Sequence, residues 1–132
     1  MDKEKILLVH VRIDNSVEVK GSNGQVTLVH FHGTAESKYF NGVILPGGVD
    51  AQSQFAGDRW RLSARDVLEG TDVNGESCHI YIENNGIVEN GELVTIPRIL
   101  TDSPALAWLE GAKLEGKVVG EEGGICIEFT RK

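Results

Sequence analysis

Neither cysteine nor proline is plentiful in this chain: its 132 residues include 2 Cys and 3 Pro, and aromatic side chains make up only 6%. Cys78 and Cys126 lie far apart, each beside a strand-like apolar run and without C-x-x-C spacing. That argues against a disulfide scaffold or a redox pair and for two buried thiols in a reducing compartment. No apolar run comes near the ~20 residues of a membrane helix. The stretch behind the charged start, Ile6 to Val9, stops at His10 with no small-residue cleavage site after it. The sequence therefore reads as neither a signal peptide nor a membrane protein, and a cytoplasmic location is expected. Positive charge is also short. Lys and Arg number 13 against 20 Asp and Glu, a net charge of −7. The one local concentration, Arg59, Arg61 and Arg65, is broken by Trp60, Leu62 and Ala64 and flanked by Asp58 and Asp66. Phosphate contacts need clustered cations, so no nucleic acid is expected as a partner.

What the chain does have is glycine, 16 of them, spaced between short bursts of Val, Ile and Leu that alternate or run on without a helical stripe. This pattern predicts strands at 5–13, 17–20, 25–32, 38–45, 49–55, 59–68, 77–83, 92–100, 112–119 and 125–131. Turn chemistry separates them, at Asp14-Asn15-Ser16, Ser22-Asn23-Gly24, Pro46-Gly47-Gly48, Glu89-Asn90-Gly91 and Glu122-Gly123-Gly124 among others. One short helix is expected near residues 103–110, with Ser103 as cap and Pro104 in the first position, laid across a barrel end. So many strands in one domain, 1–132, leave unpaired edges unless the sheet closes. The expected fold is all-β: a single closed antiparallel β-barrel of about 8–10 strands.

Among polar residues the histidines come first. His30 and His32 share a face of one predicted strand, and Gly24-x5-His30-x-His32-x3-Glu36-x5-Gly42 resembles the first signature of the cupin metalloproteins, with His79 as a third imidazole. The second signature is incomplete, because Asn74-Gly75-Glu76-Ser77-Cys78-His79 contains no proline and Asn84 falls one place late. Strand histidines that simply hydrogen-bond near the core account for the same residues.

A longer pattern runs through Gly42-Val43-Ile44-Leu45-Pro46-Gly47-Gly48-Val49-Asp50-Ala51-Gln52, Leu62-Ser63-Ala64-Arg65 and Ile80-Tyr81-Ile82-Glu83-Asn84-Asn85-Gly86, then Pro97, Thr101 and Ala107-Trp108-Leu109. It resembles the uncharacterised barrel family known as domain of unknown function (DUF) 3237. The resemblance implies a lipocalin-like antiparallel barrel and carries no activity. Ala51, Ser63 and Asp66 stand where that family usually has tryptophan, aspartate and tyrosine, which implies a pocket of altered shape.

Within those segments, Asp50 and Arg65 sit among apolar neighbours. A charged group inside a barrel must be paired or face water, so a mutual, inward-facing Asp50–Arg65 ion pair is expected. By alternation Gln52 shares the face of Asp50, Ser63 that of Arg65, and Tyr81 that of His79 and Glu83; these faces are expected to meet inside. Three functions compete. The first is binding of a small, partly apolar organic ligand through Asp50, Gln52, Ser63, Arg65, Tyr81 and Glu83. The second is a cofactor-free isomerase, dehydratase or cyclase in which Asp50 or Glu83 moves a proton while Arg65 stabilises negative charge. The third is a metal-dependent cupin-type enzyme on His30, His32, Glu36 and His79. The first two call for no cofactor, and an exposed strand leaves self-association into a homo-oligomer open.

Overall fold

Asn90 and Gly91 both take positive φ, 54° and 77°, between the paired Glu89 and Glu92. This is the two-residue turn whose twist matches that of the strands it joins, and Asn-Gly is its preferred sequence. The computed structural model describes residues 3–132. Nine strands follow one another: β1 (Lys5–Gly21), β2 (Gly24–Glu36), β3 (Phe40–Ile44), β4 (Gly48–Phe55), β5 (Arg61–Asp72), β6 (Ser77–Glu89), β7 (Glu92–Thr101), β8 (Leu114–Glu121) and β9 (Gly124–Arg131). All pairings are antiparallel. β1 pairs with both β2 and β9, which closes the ladder. β3 and β4 both lie between β2 and β5 and form two halves of one stave, so the wall is a closed eight-stave barrel, as the turn spacing predicts.

The stave is interrupted between β3 and β4. Ile44 pairs with Leu68 and Val49 with Arg65, so the segment 45–48 faces only Asp66 and Val67 of β5. Pro46 has no N–H to give, Gly47 bends at φ 111°, and the last bond before the gap runs from the Leu45 N–H to the Val67 carbonyl at 2.8 Å. The stave bulges outward there.

Alternation assigns the faces. Leu7, Val9, Phe31, Ile82, Ile127 and Phe129 point inward and are buried. One end of the barrel is closed by a 3₁₀ helix at Pro104–Glu110, with Leu106 and Leu109 buried beneath it. Trp108 meets Tyr39 edge-on, with ring centroids 5.1 Å apart, and Arg131 lies 4.8 Å from the Trp108 ring. The helix is where the sequence puts it, but Ser103 makes no side-chain cap bond. Its hydroxyl instead donates to Asp72 Oδ2 at 2.7 Å, fastening the helix entry to the end of β5.

Two expected strands, 5–13 and 17–20, are one strand, because Asp14-Asn15-Ser16 forms a bulge between Ile13 and Asn15 and not a turn. β5 begins at Arg61 and runs on to Asp72, past the predicted limit at Leu68. Among the described residues no helix is long and apolar enough to cross a membrane.

Candidate functional site

In β4 and β5, Asp50 opposes Ala64 and Val49 opposes Arg65. Asp50 therefore points inward and Arg65 outward. The expected Asp50–Arg65 ion pair does not form, because the two side chains leave the wall by opposite faces. Gln52 follows Asp50 inward, and its Nε2 donates to Asp50 Oδ2 at 3.0 Å. Burial pushes the Asp50 carboxyl above its ordinary range, against the lowering effect of Gln52 and a Ser63 backbone bond. Asp50 Oδ1, Asn84 Oδ1 and Thr95 Oγ1 are buried without a hydrogen-bond partner among the described residues. Asn84 and Thr95 are 4% and 3% exposed.

This inner polar patch does not enclose a ligand chamber. The void between Phe31, Ala64, Asp66, Ile82, Asn84 and Phe129 measures about 10 Å³, room for roughly one water. That void is too small for an organic molecule.

The other expected ligand contacts stand on the outer wall. Ser63, Arg65, Tyr81 and Glu83 share that face, not the face of Asp50 and Gln52. They belong to a hydrogen-bonded ladder: Tyr81 Oη donates to Glu83 at 3.2 Å, Asn85 Nδ2 to Glu83 at 2.9 Å, and Ser63 Oγ to Asn85 Oδ1 at 2.7 Å. The Asn85 bond holds the Glu83 carboxyl below its usual range, with Tyr81 adding to it. That is the reverse of what a proton shuttle near neutral pH requires. Arg65 lies opposite Glu83 in register, yet its guanidinium makes no ion pair or hydrogen bond with the described residues.

Two concavities flank this ladder. A notch of about 260 Å³ opens where the stave is broken, lined by Leu45, Pro46, Gly47, Arg65, Asp66 and Tyr81. Arg65 and Tyr81 reach it from outside. Asp66 reaches it through the gap, and burial pushes its carboxyl up to about 7. A wider groove of about 800 Å³ runs along the same outer face over Ala51, Ser63, Asn85, Ile87, Val94 and Ile96. Val94 and Ile96 are half exposed, at 50% and 53%. Ser63 is two residues from Arg65 on one face, so the groove starts about 7 Å from the notch.

The model of the family described as protein of unknown function (DUF3237) matches residues 3–95. The chain belongs to the DUF3237 family. A UPF0311 protein of Clostridium acetobutylicum is 29% identical, covering 83% of this chain and 80% of its own. Three solved structures share the fold. A protein with unknown function from Clostridium acetobutylicum superposes at TM-score 0.80 with 25% identity, covering 99% of each chain. A conserved protein of unknown function from Rhodopseudomonas palustris gives TM-score 0.74 with 18% identity, covering 98% of this chain and 96% of that one. A beta-barrel like protein from Acinetobacter baumannii gives 0.72 with 15% identity over 98% and 94%.

This DUF3237 barrel does not assemble the cupin ligand set. His30 and His32 stand on the outer face of β2, on the same side of the wall as Arg65. His32 Nδ1 pairs with Asp14 at 2.6 Å. His79 is on β6, held by Glu69 and Asp102 at 2.9 Å each. Glu36 turns to His10 instead, 2.8 Å from its Nε2. Among the described residues His30, His32, Glu36 and His79 form no common group. Sequence reasoning took none of Asp66, Asn84 and His10 as a site residue. The signal for Asp66 was present: it shares its two-residue phase with Leu62, Ala64 and Leu68, the apolar side of its strand.

Proposed function

We propose that the barrel binds a small organic anion on its outer wall, the carboxylate at Arg65 and Tyr81 in the notch and an apolar body along the groove. The observation that carries this reading is Arg65, a guanidinium on the rim of a notch that makes no direct ion pair or hydrogen bond among the described residues and has Glu83 opposite it in register. A guanidinium offers five donors in a fork that matches a carboxylate bidentately. The apolar lining of Ala51, Ile87, Val94 and Ile96, with Ser63 and Asn85 as orienting polar groups, has the make-up of a ligand site and a volume in the usual range. The apolar partner expected from the sequence is kept, and its place moves from the interior to the outside.

The test is a panel of aryl and medium-chain carboxylates, each beside its neutral alcohol, titrated by NMR against wild type and Arg65→Gln. Carboxylates should bind, alcohols should not, and Arg65→Gln should weaken binding by about 10- to 100-fold, as loss of a charge-assisted bond implies. Equal binding by Arg65→Gln, or no binding by any member, overturns the reading.

The carboxyl of Asp66, at about 7, favours a second reading in which it exchanges a proton with the bound acid. This moves the acid–base role from Asp50 and Glu83 to Asp66. Incubating enolisable keto acids with the protein in D₂O tests it: deuterium should enter at the carbon next to the ketone with wild type and not with Asp66→Asn. Unchanged incorporation by the variant sinks it.

A further inference from the structure

On the outer wall where β1, β9 and the β8–β9 hairpin meet, three different donors converge. His10 and Cys126 are directly opposed in the β1–β9 ladder, a register that sets their Cβ atoms about 5 Å apart. Glu121, the last residue before the hairpin turn, reaches across so that both its oxygens lie 3.0 Å from His10 Nδ1. One donor atom from each of the three residues lies within 4.8 Å of the others. Cys126 is on the solvent side of the sheet yet 5% exposed, covered by these neighbours, and its thiol is free.

We propose that His10, Glu121 and Cys126 form a site for a thiophilic divalent cation, zinc by its donor chemistry. An imidazole, a thiolate and a carboxylate suit zinc and disfavour magnesium or calcium, which take oxygen alone. Tetrahedral bonds of about 2.0–2.3 Å need donor atoms roughly 3.3–3.8 Å apart. His10 and Glu121 are already 3.0 Å apart, so a contraction of about 1 Å on the Cys126 side closes the set. The supporting shell is already in place. Glu36 Oε1, 2.8 Å from His10 Nε2, accepts the proton on that nitrogen, so Nδ1 is the nitrogen that gives up its proton and turns to the cation, the carboxylate–histidine–metal arrangement that orients a ligand and raises its basicity. Arg12 Nη1 holds Glu121 Oε2 at 2.8 Å and steadies the carboxylate from outside. Binding forms three bonds to the cation and releases two protons to solvent, the thiol proton of Cys126 and the one His10 Nδ1 donates to Glu121. Two positive charges then meet one thiolate and one carboxylate, and Arg12 balances Glu36. The fourth position stays open to solvent.

Cobalt(II), which takes the same geometry and reports on its ligands, is the probe. Full-length protein without a histidine tag, kept reduced, is titrated with Co²⁺ and then with Zn²⁺. Near one equivalent, a thiolate-to-cobalt charge-transfer band should grow in the near ultraviolet with tetrahedral bands in the visible, and Zn²⁺ should erase both. Cys126→Ser should abolish the ultraviolet band, while Cys78→Ser, which alters the other buried thiol, should leave it intact. Glu36→Gln should weaken affinity by about 10- to 100-fold. Should Cys126→Ser fail to fold, His10→Gln, with Cys126 untouched, serves as the second variant and should shift the titration midpoint at least tenfold. A wild-type protein without the charge-transfer band, or a band that survives Cys126→Ser or is insensitive to His10→Gln, overturns the proposal.

Discussion

Arg65 and Asp66 are consecutive residues of β5 that leave the barrel wall by opposite faces, and both line the notch beneath Pro46 and Gly47. In an unbroken stave a carboxylate on the inner face would be shut off from its outward neighbour. Here four residues, 45–48, span the distance that two cover on β5, so the stave bows out and opens a window onto Asp66. A fixed cation and a carboxyl that titrates near neutrality thus face one small space.

The Asp66 carboxyl makes stability depend on pH. Its folded pKa of about 7 lies above the ordinary value of 3.8, so folded protein holds a proton that unfolded protein releases above about pH 4. The stabilising proton is fully present below pH 4, is lost as pH rises through 7, and its loss is complete above that. The span corresponds to on the order of 4 kcal/mol. Asp66→Asn removes this slope and leaves the other titrating groups alone. Urea denaturation of both proteins at pH 4.5, 6 and 8 should show the variant gaining on wild type as pH rises. A gap that is constant across the three values contradicts the burial of this group.

Leu106 is 0% exposed beneath the 3₁₀ helix that closes the barrel end. The helix is too short to hold itself together, so it is held in place by this anchor, by Leu109 and by the Ser103–Asp72 bond. Leu106→Ala should cost about 2–5 kcal/mol, the range for a cavity in a packed core. Denaturant midpoints measure it. A loss under about 1 kcal/mol would mean that the helix rests loosely on the end of the barrel.

Much of the barrel was legible because its turns carry their own chemistry. Asn90-Gly91 and Glu122-Gly123 fix two hairpins by backbone conformation alone, and closure follows from strand number. The bulge at Asp14 escaped because Asp-Asn-Ser suits a turn as well as an irregular strand, and only the partner strand decides between them. Facing directions failed at Arg65 for a related reason. Period-two alternation sorts residues within a strand, whereas the phase between strands depends on register, and a slip of one residue turns every side chain over. In β4 the small and apolar phase, Val49 and Ala51, is the outer one, while Asp50 and Gln52 point in. The sequence there reads opposite to the wall it builds, since the inward pair shares a Gln52–Asp50 hydrogen bond that serves one of the two carboxylate oxygens. His10 was invisible for want of a local motif: its neighbours Glu121 and Cys126 come from the far end of the chain.

The broken stave also predicts how two glycines will tolerate a methyl group. Gly47 sits in the bulge at φ 111° with open space about it, so Gly47→Ala meets only backbone strain, roughly 1 kcal/mol. Gly70 has an ordinary backbone, but a Cβ there would run into the Asn41 carbonyl oxygen and the Gly42 Cα, because β3 and β5 approach closely at the Gly42–Gly70 rung. Backbone cannot rotate aside as a side chain does, so Gly70→Ala must push β3 outward. The expected loss is about 1–3 kcal/mol or more, the range for overpacking. The displacement would also widen the window, since β3 ends at Ile44, just before the break. Urea midpoints give the two energies, and hydrogen exchange of the Leu45 amide, which bonds to Val67, reports the widening. Faster exchange in Gly70→Ala than in Gly47→Ala, at equal global stability set by urea, is the expected result. Equal protection in both would show that the window is held open by Pro46 and Gly47 without help from the close β3–β5 contact.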